Sequence, residues 1–83
     1  MEYLLVCRSI TFAKQTKAVL DNNRIPSKIV RTPVGVVSES CGYSVKVSEN
    51  DHNTALLVLK QNNLIPKRII VHYFDGRYVE ASI

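Results

Sequence analysis

No apolar run in this chain approaches the roughly 18 residues that a membrane-spanning helix needs, so a membrane protein of the helical kind is not expected. The start, Met1-Glu2-Tyr3, carries no basic stretch, and the apolar run behind it is too short for a secretory signal. Cysteine is scarce. Cys7 and Cys41 are the only two, too few for the disulfide framework of a small secreted domain. Metal-binding spacing is missing as well: there is no CxxC and no HxxxH, so neither a metal site nor a cofactor is expected. No carboxylate pair suggests acid–base work, since Asp51, Asp75 and Glu80 read as a cap, a turn and a surface residue. Nor is there a basic block. Eleven Lys/Arg against seven Asp/Glu leave a net charge of +4, but the basic residues are scattered, which disfavours a nucleic-acid footprint. These absences point to a soluble, cytoplasmic protein.

What is present is an ordinary globular composition, 46% hydrophobic, in a length that suits one domain over 1–83. The run EYLLVCR at 2–8 is compact and apolar and predicts a first strand. Ser9 follows as a candidate N-cap. Behind it Phe12, Thr16, Val19 and Leu20 make one inward helical stripe, with Lys14 and Lys17 pointing away. Asn22 and Asn23 suit a helix stop and Pro26 prevents continuation, so SKIVRT at 27–32 is the second strand. After a loop, 42–47 alternates, with Tyr43, Val45 and Val47 on one face and Ser44 and Lys46 on the other. Ser48 and Asp51 stand at near capping-box spacing before a second helix that turns Ala55, Leu56 and Leu59 inward. A fourth strand is expected over 67–74. Asp75-Gly76 then reads as a two-residue hairpin turn into a short fifth strand, 77–81.

A repeat runs through this order. NNRIP at 22–26 and NNLIP at 62–66 lie 40 positions apart, and the same offset pairs Tyr3 with Tyr43 and Ile29 with Ile69. Two strand-helix-strand copies, about 1–32 and 41–73, each too small to bury its own apolar face, predict one duplicated βαββαβ unit with 74–83 as a hairpin tail. The fold class expected is α+β and ferredoxin-like. It has an antiparallel sheet of order 4-1-3-2, both helices on one face, and the fifth strand beside the fourth.

That topology makes the segment 32–43 (TPVGVVSESCGY) the place to look for chemistry. It holds Gly35 and Gly42, two of the chain's three glycines, and ends in Cys41-Gly42 as a strand begins. The end of the first strand, the start of the first helix and this loop should share one edge. There Cys7 and Cys41 are expected as neighbours on the helix-facing side. Sulfur reacts as thiolate, and a free thiol titrates near 8.5, so a cation or a helix N-terminus must lower that value. Arg8, Arg31, Lys67, Arg68 and Ser9 are expected at that edge, Gly42 leaves the backbone open beside the sulfur, and Ser38 and Ser40 can donate hydrogen bonds. Such a setting suits a thiolate that carries a transferable sulfur or selenium atom and needs no base of its own. A small buried hydrophobe is the alternative for Cys41. Cys7 reads as core, with a resolving thiol as its alternative. His52 and His72 are expected at the opposite edge, which argues against a Cys–His nucleophile.

The Thr32-Pro33 pair leading through Ser38 and Ser40 to Cys41-Gly42, together with the aliphatic first strand and Arg8-Ser9 before a helix, resembles the selenium/sulfur carrier-like family of small bacterial domains. The resemblance covers about residues 2–73 and departs at Val34-Gly35, where members often carry a basic residue. It implies a carrier thiol at Cys41 and, as donor, a partner such as a cysteine desulfurase. A different class of reading is a non-enzymatic ferredoxin-like binding module. It would form a homodimer through an apolar stripe of Leu4, Val6 and Ile70 on the outer face of the sheet, with Cys41 structural. RNA binding on that face finds no aromatic among Leu4, Val6, Ser44 and Lys46. Either leading reading is a carrier or binding domain rather than an enzyme.

Overall fold

The computed structural model describes residues 1–32 and 42–81. They form β1 (Glu2–Cys7), α1 (Ile10–Asn22), β2 (Lys28–Arg31), β3 (Tyr43–Ser48), α2 (His52–Gln61), β4 (Arg68–His72) and β5 (Tyr78–Ala81). The protein is α+β, with two helices and one five-stranded sheet of order β2-β3-β1-β4-β5 in which every pairing is antiparallel. This is the strand order expected from the repeat.

Alternation decides which face each strand residue serves. Leu5, Cys7, Val45, Val47 and Ile69 pack with Ala13 and Leu20 of α1 and Ala55 and Leu59 of α2. Both helices therefore lie on one face. Leu4, Val6 and Ile70 form a separate cluster on the other, joined by Val30 of β2.

The 40-residue repeat reappears as register. Ile29 opposes Val45 at one side of the sheet, and Ile69 opposes Leu5 at the other, the same pairing moved by the repeat. Tyr3 opposite Val47 and Cys7 opposite Tyr43 are likewise one pairing seen twice. The helix ends break the offset by one residue. Both helices finish in the same six-residue closing motif: Ile25 N–H donates to Leu20 O at 2.9 Å and Leu64 N–H donates to Leu59 O at 2.8 Å. The capping residues are Asn23 and Asn62, each donating its side-chain amide to a carbonyl one turn back at 2.8 Å. The left-handed residues that follow are Arg24 (φ 58°) and Asn63 (φ 57°). The asparagine pairs of the sequence thus align with each other, but the helices stop one residue differently. The reason is the apolar residue that each motif turns inward. In the first copy it is Ile25, which is buried; in the second it is Leu64, which leaves Ile65 at the surface.

The expected caps were half right. Ser9 holds extended backbone and its Oγ accepts from Phe12 N at 3.0 Å, as an N-cap should. Ser9→Ala is expected to cost about 1 kcal/mol, measured by chemical denaturation. At α2 the capping box does not form. Asp51 has helical backbone and its carboxylate is taken by the Ser48 hydroxyl at 3.0 Å, so no side-chain bond caps the helix. His52 stacks instead on Tyr3, ring centroids 3.8 Å apart, with Nδ1 3.1 Å from Glu49 O.

The hairpin also differs from the two-residue turn expected. Tyr73 N–H donates to Arg77 O at 2.9 Å and Gly76 N–H donates to Tyr73 O at 3.0 Å, which makes Phe74, Asp75 and Gly76 a three-residue loop. Gly76 supplies the positive φ (91°). Asp75 Oδ1 accepts from Arg77 N at 3.0 Å, and this bond, with the Arg77 guanidinium 2.7 Å from Oδ2, holds the Asp75 carboxyl below its ordinary range.

The outer face corrects the expectation of an exposed apolar stripe. Leu4, Val6 and Ile70 are 3%, 0% and 1% exposed. Each stands in a central strand with a neighbour on either side, and long polar side chains flank them. Lys46, opposite Leu4, reaches Glu2 at 3.6 Å, and Arg68, opposite Val6, reaches Glu80 at 3.0 Å. Stems held in this way shield apolar surface while keeping the charge in water. Ser44 was expected to point to solvent with Lys46. It is fully buried, and its Oγ lies 2.6 Å from Thr32 Oγ1.

Candidate functional site

The edge singled out by the sequence is formed where β1 and β2 end and β3 and β4 begin. Cys7 stands opposite Tyr43, which stands opposite Arg31, and Val6 stands opposite Arg68. Lys67 N–H donates to Val6 O at 2.9 Å and carries the β1–β4 pairing one step further. Arg8 and Ser9 follow Cys7 directly and lead into α1. The predicted stabilisers Arg8, Ser9 and Arg31 thus share one end of the sheet with Cys7, Thr32 and Gly42.

Thr32 and Gly42 bound the segment 33–41. Thr32 N–H donates to Gly42 O at 2.7 Å, so one backbone bond ties together the residues on either side of that segment. Gly42 has φ +83°, a conformation that side chains rarely adopt. The buried hydroxyl contact between Thr32 and Ser44 sits directly inside this closure. Pro33, Ser38, Ser40 and Cys41 themselves lie outside the described residues, and with them the expected proximity of Cys41 to Cys7.

The cations at the edge are engaged. Arg8 lies over the Phe12 ring, 5.0 Å to its centroid. Arg31 lies over the Tyr43 ring at 5.1 Å and donates from Nη1 to the Tyr43 hydroxyl at 3.1 Å. Contacts of this type hold a guanidinium in place without neutralising it. Arg68 differs, because Glu80 pairs with it. Cys7 is fully buried and its thiol points at Leu5 O, 3.3 Å away, as a core cysteine does.

Both histidines sit at the far end of the sheet. His52 packs on Tyr3, while His72 stands opposite Glu2 and stacks on Tyr78 with centroids 4.3 Å apart. Among the described residues no three His, Cys, Asp or Glu side chains group closely enough to hold a metal ion. No helix is long and apolar enough to cross a membrane among them. Sequence reasoning missed the Thr32–Ser44 pair and the two Arg–aromatic contacts. The alternation of 42–47 places Ser44 on a face but does not say that a threonine hydroxyl waits there.

The class these observations define is a small α+β domain with an antiparallel sheet and both helices on one face, in which a bond between Thr32 and Gly42 joins the two sides of a nine-residue stretch of sequence that includes Cys41. The chain matches the model of the family described as "Putative Se/S carrier protein-like" over residues 2–71, and it belongs to that family. Neither the curated proteins nor the solved structures contain a match to it.

Proposed function

We propose that this protein is a sulfur or selenium carrier that holds the transferable atom on the Cys41 thiolate, in a ferredoxin-like domain built by internal duplication. Membership of the carrier-like family over residues 2–71, a span that includes Thr32-Pro33 and Ser38 to Gly42, is the observation that carries the reading. The chemistry is a group transfer without net oxidation. The Cys41 thiolate attacks the terminal sulfur of a donor persulfide, the donor's sulfur–sulfur bond breaks, and the donor leaves as a thiolate. A selenium atom transfers in the same way and leaves a selenenyl sulfide on Cys41. A cysteine desulfurase is the class of donor that presents such a persulfide, and a reducing cytoplasm is the compartment in which a free thiol persists.

The step needs thiolate at neutral pH. Val34-Gly35 supplies no cation, so the charge must come from outside the segment. Arg8 and Arg31, each seated on an aromatic ring, and the α1 N-terminus behind Ser9 are the groups suited to it. The binding-module reading rested on an open outer face, and the burial of Leu4, Val6 and Ile70 removes its support.

The test is intact-protein mass spectrometry after incubation with a desulfurase and cysteine. One added sulfur atom is expected, lost on treatment with a reductant and absent from Cys41→Ser. No adduct on the unaltered protein, or an adduct that survives Cys41→Ser, would sink the proposal. A Cys41 pKa below that of a free thiol is expected alongside it.

A further inference from the structure

The fold sorts the charges that the sequence scatters. Five of the seven acidic residues stand at the end of the sheet away from Thr32 and Gly42. Glu2 begins β1 there, opposite Ser48 and His72. Glu49 and Asp51 stand between β3 and α2, Asp21 in the last turn of α1, and Asp75 in the loop between β4 and β5. Of the other two, Glu80 is opposite Ile70 in mid-sheet, and Glu39 lies outside the described residues.

The end where Thr32 and Gly42 stand is cationic. Arg31 finishes β2, Arg8 follows β1, Lys67 precedes β4, and Lys60 is in the last turn of α2. All four are exposed and have no acidic partner among the described residues. Arg68 beside them is held by Glu80 at 3.0 Å. Three strand spacings separate β2 from β4, so the row from Arg31 to Lys67 spans roughly 14 Å. With these four set aside, the other seven basic residues equal the seven acidic ones, so the four account for the whole net charge of +4.

Cations gathered in this way draw an oppositely charged surface and turn it toward them. Two features of this end suit a protein rather than a nucleic acid. The rings of Phe12 and Tyr43 pack against the core and carry the guanidinium groups of Arg8 and Arg31, so neither offers a free face to a base. Beside Lys60 lies an apolar groove of about 390 Å³, lined also by Leu57, Ile65 and Pro66, and apolar surface within a charged rim is the make-up of a protein interface.

We infer that this end of the sheet is the docking surface for an acidic protein face, that of the persulfide donor, with Arg8, Arg31, Lys60 and Lys67 meeting its carboxylates. This assignment rests on the carrier reading and adds to it the chemistry by which the donor is recognised. Arg8 and Arg31 serve the thiolate as well, whereas Lys60 and Lys67 serve the donor alone.

Two donors separate docking from chemistry: a persulfidated cysteine desulfurase, and cysteine persulfide, which has no protein surface. Loading of the intact chain is followed by mass spectrometry against time. Lys60→Glu combined with Lys67→Glu should slow loading from the desulfurase about tenfold or more. Loading from cysteine persulfide should stay within about twofold, since charge at the edge of the surface acts on encounter rather than on the transfer itself. Arg24→Glu combined with Lys28→Glu, an equal change of net charge placed between α1 and β2, should slow neither donor. A Lys60/Lys67 variant loaded at the unaltered rate by both donors would overturn the docking surface and leave the carrier reading standing. An unaltered protein loaded by neither donor would remove the carrier reading, and the docking surface with it. Polyuridylate or phosphatidylserine vesicles that bind the protein at about 0.15 M salt, and lose it on the Lys60 and Lys67 substitutions, would also overturn the inference by giving this end a different ligand.

Discussion

Leu5→Ala should remove about 3–4 kcal/mol of folding stability. Leu5 is fully buried at the middle of β1, between Val45 on one side and Ile69 on the other, and beneath both helices. A domain of this length holds only roughly 4–12 kcal/mol in total. The loss would lower the melting temperature by roughly 12–25 °C. Urea denaturation, with the m-value checked for constancy, measures it. A cost below about 1.5 kcal/mol would mean that neighbours collapse into the space, and that the two halves are not pinned together at this residue.

Ile70→Asn is the second large effect, about 3 kcal/mol, and it separates two pictures of the outer face. If Leu4, Val6 and Ile70 were an open stripe, a polar replacement would change stability by no more than about 0.5 kcal/mol. In the structure Ile70 is 1% exposed and packed with Leu4 and Val6, so the substitution removes apolar contact and buries an amide. Equilibrium unfolding of Ile70→Asn beside Val79→Asn, its exposed counterpart on the edge strand, decides between them. Equal, small costs at the two positions would show that the outer face is open in solution. In that event the alternative reading of the sequence, a binding module that self-associates through this face, returns as a candidate.

Much of the fold was legible because its signals are local or repeated. The order of elements follows from periods of two and 3.6, and Ser9 is readable as a cap because its neighbours alone decide the bond to Phe12. The sheet order followed from the 40-residue repeat, and Ile29–Val45 and Ile69–Leu5 carry it into register. That register also brings Arg8, Ser9, Arg31, Thr32, Gly42 and Cys7 to one edge, so this part of the candidate site was legible too. What failed were choices between close alternatives. Asp51 could cap its helix or accept from Ser48, and it does the second. Asp75-Gly76 could close a loop of two residues or three, and the Asp75 bond to Arg77 N–H accompanies three.

By itself, then, the sequence determined the elements, their pairing, the family and the cysteine on which a carrier function would rest. Tertiary structure alone decided which apolar residues are covered. Ile25 and Ile65 occupy matching places in the repeat, yet one is buried and the other lines a groove, because each helix end turns in whichever residue its closure presents to the core. Leu4, Val6 and Ser44 share their alternation with residues meant for solvent, yet all three are buried. Alternation assigns a side chain to a face, whereas its burial depends on what the rest of the chain, distant in sequence, places over that face.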